Sequence, residues 1–117
     1  MLTSSDDLAA IQAAIYGCLD AAEKMRDEYG QARADIEQHG ELQKALLARI
    51  VAATDGKSMA ERETLARASN TWATALHECG GKLARAQATT SRYNVTLARL
   101  DALRGILAVQ KQLMREI

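Results

Sequence analysis

Apolar and small residues recur at alternating spacings of three and four along the first fifty residues of the chain. They are Leu8, Ile11, Ile15, Cys18, Ala22, Met25, Tyr29, Ala32, Ile36, Leu46, Ile50 and Ala53, and only His39 and Gln43 interrupt the series with polar side chains. Such a sustained heptad seam is typical of a long helix in a bundle or coiled coil. We therefore predict a first long helix over about residues 6–53.

A turn and a short helix are predicted next. Asp55-Gly56 is a turn signal and places the turn at residues 54–58. Ser58 and Glu61 then fit a capping box, in which the Ser58 hydroxyl accepts from the Glu61 amide and the Glu61 carboxylate accepts from the Ser58 amide. The short connecting helix should cover residues 59–68, because Ser69 begins a new capping sequence.

A second apolar seam occupies the rest of the chain and predicts a second long helix over about residues 71–116. The seam drifts after Leu100, because a strict heptad would place Arg104 on it, and such drift is typical of an ordinary helix with 3.6 residues per turn. The seam residues are Trp72, Leu76, Cys79, Leu83, Ala86, Thr90, Tyr93, Leu97, Leu100, Leu103, Ile106, Leu107, Leu113, Met114 and Ile117.

Composition supports a helical fold. The 117 residues include no Pro and no Phe, and the aromatic residues are one Trp and three Tyr. The absence of Pro permits long helices, and the scarcity of aromatic residues argues against a β-sandwich or barrel. Gly30, Gly40 and the Gly80-Gly81 pair are the positions where a kink or break is plausible, since glycine is a poor helix former.

The predicted fold class is all-α, a single domain of residues 1–117 in which two long helices form an antiparallel hairpin joined by a short connecting helix. A lone hairpin cannot bury both faces of its helices, so several apolar residues outside the seams should remain partly exposed. These are Leu19, Leu42, Leu47, Val51, Val95 and Val109. We therefore expect a homo-oligomer, with a dimer that forms a four-helix bundle or coiled coil favoured.

No catalytic or metal-binding pattern is present in the sequence. His77 and Cys79 are two residues apart, so on a helix their side chains point in nearly opposite directions and cannot share an ion. Gly56-Lys57-Ser58 matches the end of a phosphate-binding loop, but Val51 stands where that motif requires glycine. We therefore predict no enzymatic activity, no metal and no cofactor.

The formal net charge of zero hides an asymmetry between the two halves. Residues 1–58 carry ten acidic and six basic residues, whereas residues 59–117 carry five acidic and nine basic residues. The candidate binding residues are six cations of the last helix, Arg85, Arg92, Arg99, Arg104, Lys111 and Arg115. The first three recur every seven residues and share one stripe, and Arg104 and Lys111 repeat that spacing.

Three interpretations of these cations remain open. They track the phosphates of a nucleic acid, without sequence preference and with strong salt dependence; they bind an acidic protein; or they form a solvated face. The third interpretation includes pairing with acidic residues of the first helix in another chain. Those residues are Glu23, Asp27, Glu28, Asp35, Glu37 and Glu41.

Residues 55–69 carry a resemblance to a known group of proteins. The sequence over residues 55–63 is DGKSMAERE, followed by Leu65-Ala66 and Ala68-Ser69. This segment resembles small helical proteins of bacteriophages and prophages, which share a Gly-Lys-(small)-x-Ala-Glu-Arg-Glu turn and helix before a long helix rich in Ala, Leu and Arg. The resemblance implies a helical accessory protein, encoded near recombination functions, and it implies no catalytic residues.

The functional expectation is a phage-type interaction protein that modulates nucleic-acid-processing machinery through protein–protein contacts. One alternative is a direct, non-specific nucleic-acid binder that uses the basic last helix, and another is a structural coiled-coil component of a larger assembly. Residues 1–7 lack the pattern of a signal peptide, and no apolar run reaches the roughly 18 residues of a membrane span. We therefore expect a cytoplasmic protein, in the host cell if a phage encodes it, with no membrane partner.

Overall fold

The computed structural model describes residues 5–116, and these residues form three helices and no strand. Helix α1 covers Ser5–Ala53, α2 covers Met59–Arg67, and α3 covers Asn70–Arg115. The two long helices pack against each other, and the short helix lies between them in the chain. The predicted all-α class, with two long helices and a short connecting helix, is confirmed.

Both long helices continue through their glycines. Gly30 and Gly40 lie inside α1, and Gly80 and Gly81 lie inside α3. The breaks that the sequence allowed at these positions are absent, and no described glycine has a positive φ. A glycine costs a helix about 1 kcal/mol relative to alanine. That cost is small for helices of 49 and 46 residues, because packing of the apolar seam supplies most of their stability.

The chain divides into two compact units, and the first comprises Met1–Tyr29 and Thr89–Ile117. Its core is a cluster of buried side chains from both long helices, with two further leucines packed against it. Tyr29 and Tyr93 stack with ring centroids 4.1 Å apart, so these two residues lie at the same level of the antiparallel helices. The cluster consists of Ile11, Ile15, Cys18 and Leu100, and the packed leucines are Leu103 and Leu107.

The second unit comprises Gly30–Ala88. Its buried residues are mostly small, which allows close approach of the helices, and Trp72 is the one large side chain among them. A salt bridge joins the two long helices, with 3.7 Å between Lys82 Nζ and Asp35 Oδ1. The buried hydrophobic residues of this unit are Ala32, Val51, Ala66, Trp72, Cys79 and Ala86.

The apolar seams agree closely with the burial of the described residues. In α1 every predicted seam position from Leu8 to Ile50 is buried or half-buried, and only Ala53 is exposed. In α3 Arg104 points to solvent, as the drift of the seam predicts. Three predicted seam residues of α3 are exposed, because a chain neighbour of each faces the core instead: Ala75 for Leu76, Leu107 for Ile106 and Leu113 for Met114. Ile117 lies outside the described residues.

Two sequence expectations about individual residues are wrong. Val51 is buried rather than partly exposed, because it lies where α2 meets the end of α1. The capping box forms only in part: the Glu61 amide donates to Ser58 Oγ at 3.1 Å, but Glu61 Oε2 accepts from the Lys57 amide at 3.0 Å and not from that of Ser58. The extended backbone of Ser58 is compatible with this shift by one residue.

Candidate functional site

All six candidate cations of α3 are exposed. Arg85 belongs to the second compact unit, and the other five belong to the first. The Arg92 guanidinium donates to Thr89 Oγ1 at 3.4 Å. Within residues 5–116, no acidic side chain pairs with the four remaining cations of the first unit, which are Arg99, Arg104, Lys111 and Arg115.

The five cations of the first unit fall into two stripes. Successive residues of a helix are rotated by about 100°, so Arg92 and Arg99 lie within about 20° of each other. Arg104 is rotated by about 140° from Arg99, whereas Arg104, Lys111 and Arg115 lie within about 40°. α3 therefore presents two basic stripes on different flanks. A ligand that contacts one stripe therefore meets only two or three cations, not all six that the sequence suggested as one binding set.

The acidic residues of α1 differ in how far the same chain neutralises them. Three of those proposed as partners have basic neighbours: Asp35 pairs with Lys82, Glu37 lies 3.8 Å from Arg33, and Glu41 lies 3.4 Å from Lys44. The other three make no ion pair within residues 5–116, and they are Glu23, Asp27 and Glu28.

Lys24, which lies among these unpaired acids, is already engaged by its own helix. Its ammonium lies 2.9 Å from Asp20 Oδ2. The hydrogen bond to Asp20 and the attraction of the same carboxylate raise the pKa of Lys24 above its ordinary value. Lys24 is therefore a poor partner for Glu28, one turn further along α1, and Glu28 keeps its charge available.

An apolar groove of about 480 Å³ lies at the corner where α1 ends and α2 begins. Leu47 and Val51 of α1 and Met59 of α2 line it, and the charged residues of the same lining are Lys44, Arg62 and Glu63. We call this site the corner groove. The sequence analysis missed it, although the apolar residue Met59 in the first turn of an otherwise charged helix was a signal.

The corner is built by a close approach between the turn and α2. The Arg62 Nε–H donates to the carbonyl oxygen of Gly56 at 3.3 Å. A Cβ added at Gly56 would lie 2.8 Å from Arg62 Cγ and 3.3 Å from the Arg62 backbone nitrogen, so a larger residue at this position forces a shift. The first turns of α2, held to the turn in this way, form one wall of the corner groove.

The described residues contain no cluster of metal-ligating side chains. No three His, Cys, Asp or Glu residues within the described range come close enough together to hold an ion. Cys18 and Cys79 are buried free thiols, His39 is half-buried and His77 is exposed. None of the helices in the described range is both long and apolar enough to span a membrane.

In comparisons with known proteins, no family model, no curated protein and no solved structure matches the chain. The candidate surfaces are therefore defined by the geometry above, and they are the corner groove of the second unit and the two basic stripes of the first.

Proposed function

We propose that this chain is a non-enzymatic helical interaction protein whose corner groove receives an apolar side chain of a partner protein. The supporting observation is the groove itself, whose volume of about 480 Å³ lies in the range of known ligand sites. Interfaces commonly centre on one such anchor in a pocket, with polar residues around it. The charged residues of the lining, Lys44, Arg62 and Glu63, provide such polar surroundings.

The phage resemblance supplies the setting of this proposal. Residues 55–69 carry it, and Met59 and Arg62 of that segment line the corner groove. We infer a partner among the proteins of nucleic-acid processing, which this chain modulates by contact and not by chemistry. In this proposal the partner contacts the end of α1 and the first turns of α2.

Met59→Glu tests the corner groove. We expect this variant to capture at least tenfold less of the partner from host lysate than the wild-type chain, because the charge would lie in an apolar site. Glu is tolerated in the first turn of a helix, so α2 should stay folded, which circular dichroism checks. Leu65→Glu is the matched control, since Leu65 is exposed on the same helix but does not line the groove. Equal capture by both variants, or no captured protein, would contradict the proposal.

Direct nucleic-acid binding is the second candidate function, and the unpaired cations of the first unit favour it. Arg104, Lys111 and Arg115 form the larger of the two stripes. If they contact three phosphates, the slope of log K against log salt should be about −2 to −3, for both a short duplex and a single strand. The variant with Glu at all three positions should lose that binding. If the chain binds neither probe at low salt, direct nucleic-acid binding is excluded. That result would not affect the proposal for the corner groove.

A further inference from the structure

One face of the first compact unit is lined by small residues of α1 and by apolar residues of α3. A groove of about 330 Å³ runs along it, between Ala14, Gly17 and Ala21 of α1 and Val95 and Arg99 of α3. Val95 is 66% exposed. We call this surface the small-residue face.

The small-residue face continues along α3 in a second groove. Ala102, Gly105 and Val109 line this groove of about 490 Å³. Val95, Ala102 and Val109 are each seven residues apart, so they share one stripe of the helix. Val109 is 56% exposed. The face therefore alternates hollows and protruding apolar side chains along the length of α3 in this unit.

A buried polar atom marks the same groove. Gln110 also lines it and is only 5% exposed. Its Oε1 atom is buried without a hydrogen-bond donor. A buried acceptor that lacks a donor is unfavourable. If the Gln110 side chain turns outward, a donor brought to the groove by an occupant would remove this unfavourable burial.

The glycines of this face have no packing role within the chain. A Cβ at Gly17 or at Gly105 would meet no atom within 4 Å, although each glycine weakens its helix. Close approach of another backbone is one reason for a glycine at such a position. The hollows at both glycines are therefore suited to a second helix that packs directly on the face.

We propose that the small-residue face is a homodimer interface, and that its occupant is the same face of a second copy of this chain. A two-fold interface packs one surface against itself. The level set by the Tyr29–Tyr93 stack places Gly17 of each copy opposite Gly105 of the other, so the two helix backbones can approach closely there. A two-fold axis parallel to the helices sets α1 of each copy against α3 of the other. The four helices then form a bundle.

Charge complementarity supports this arrangement. Glu28 follows Ala21 by seven residues, and Arg92 precedes Arg99 by seven, so both charges lie on the stripes that line the first groove. The Tyr29–Tyr93 stack places Glu28 and Arg92 at nearly the same level of their helices. An axis parallel to the helices preserves that level, so Glu28 of each copy faces Arg92 of the other.

A charge exchange tests the interface by sedimentation equilibrium. At a chain concentration of tens of micromolar, the measured molar mass of the wild-type protein should be twice the 12.7 kDa of one chain. Glu28→Arg and Arg92→Glu should each raise the dissociation constant about tenfold, because each places like charges opposite one another at two symmetric sites. The double variant should return to within about threefold of the wild-type value, because the pairs are restored with reversed sign.

Two further sets of variants make the result decisive. Glu23→Arg and Arg104→Glu reverse the charge in the same way, but at exposed positions outside both grooves. They should leave the dissociation constant unchanged. Gly17→Gln should fold well and yet raise the constant at least tenfold, while Gly40→Gln in the second unit should not. A monomeric wild-type chain would contradict the proposed interface. So would a dimer whose dissociation constant changes equally in the interface variants and in the control variants. The outcome does not depend on the corner groove.

Discussion

Replacing Trp72 with alanine should lower the free energy of unfolding by about 3–5 kcal/mol, the range for a buried Trp. The side chain is only 8% exposed and lies in the first turn of α3, where its own amide donates to Ser69 Oγ at 3.2 Å. The other buried hydrophobic residues of the second unit are three alanines, one valine and one cysteine. Small residues of this kind fill a large space poorly, so the cavity term should be large.

Urea unfolding followed by far-ultraviolet circular dichroism measures this loss. Fluorescence is unsuitable for the comparison, because Trp72 is the only tryptophan of the chain. Leu65→Ala is the control: this side chain is 48% exposed in the neighbouring α2, and its removal should cost less than about 1 kcal/mol. A loss of under about 1 kcal/mol for Trp72→Ala would show that Trp72 does not anchor the unit.

The sequence was sufficient to predict the helices, because spacing alone determines which residues share a helix face. The seam from Leu8 to Ile50 and the exposed position of Arg104 both follow from counting in threes and fours. The continuity of α1 through Gly30 and Gly40 did not follow. The cost of glycine relative to alanine in a helix, about 1 kcal/mol, favours a break at either glycine. The turns on either side pack against residues that are distant in the sequence, and those contacts outweigh the cost.

The candidate surfaces were predictable only where one helix defines them. The exposure of the cations on α3 follows from their distance from the seam. The corner groove depends on how α2 lies against the end of α1, and nothing in the spacing of Val51 or Met59 specifies that. Gln110 is a similar case: it replaces an apolar residue on the drifting seam, and its unsatisfied oxygen becomes visible only when the opposite helix is in place.

The charge asymmetry of the chain is resolved only in part by its own ion pairs. Asp35, Glu37 and Glu41 are matched with bases of the second unit. Glu28 of the first unit has no such match within residues 5–116, and neither has Arg99. Charges of both signs therefore remain without an ion pair on exposed helix flanks of the first unit. This distribution favours contacts with another molecule over stabilisation of the hairpin, since exposed pairs add only about 0–1 kcal/mol each.

Leu100→Ala should produce the second large effect, a loss of about 2–5 kcal/mol in the free energy of unfolding. Leu100 is 5% exposed and belongs to the core cluster of the first unit, with Ile11 and Ile15 from the opposite helix. Truncation removes two methyl groups and a methine carbon from this cluster and leaves a cavity that rigid helices fill poorly.

The matched control for Leu100→Ala is the same substitution at Leu19, which is 39% exposed on α1 in the same unit and lines neither groove of the small-residue face. Leu19→Ala should cost less than about 1 kcal/mol. Both variants should be measured by urea unfolding at one protein concentration, because the stability of a dimer depends on concentration. Equal losses for the two variants would mean that the packing of Leu100 against α1 does not hold the first unit together, and the assigned core would be wrong.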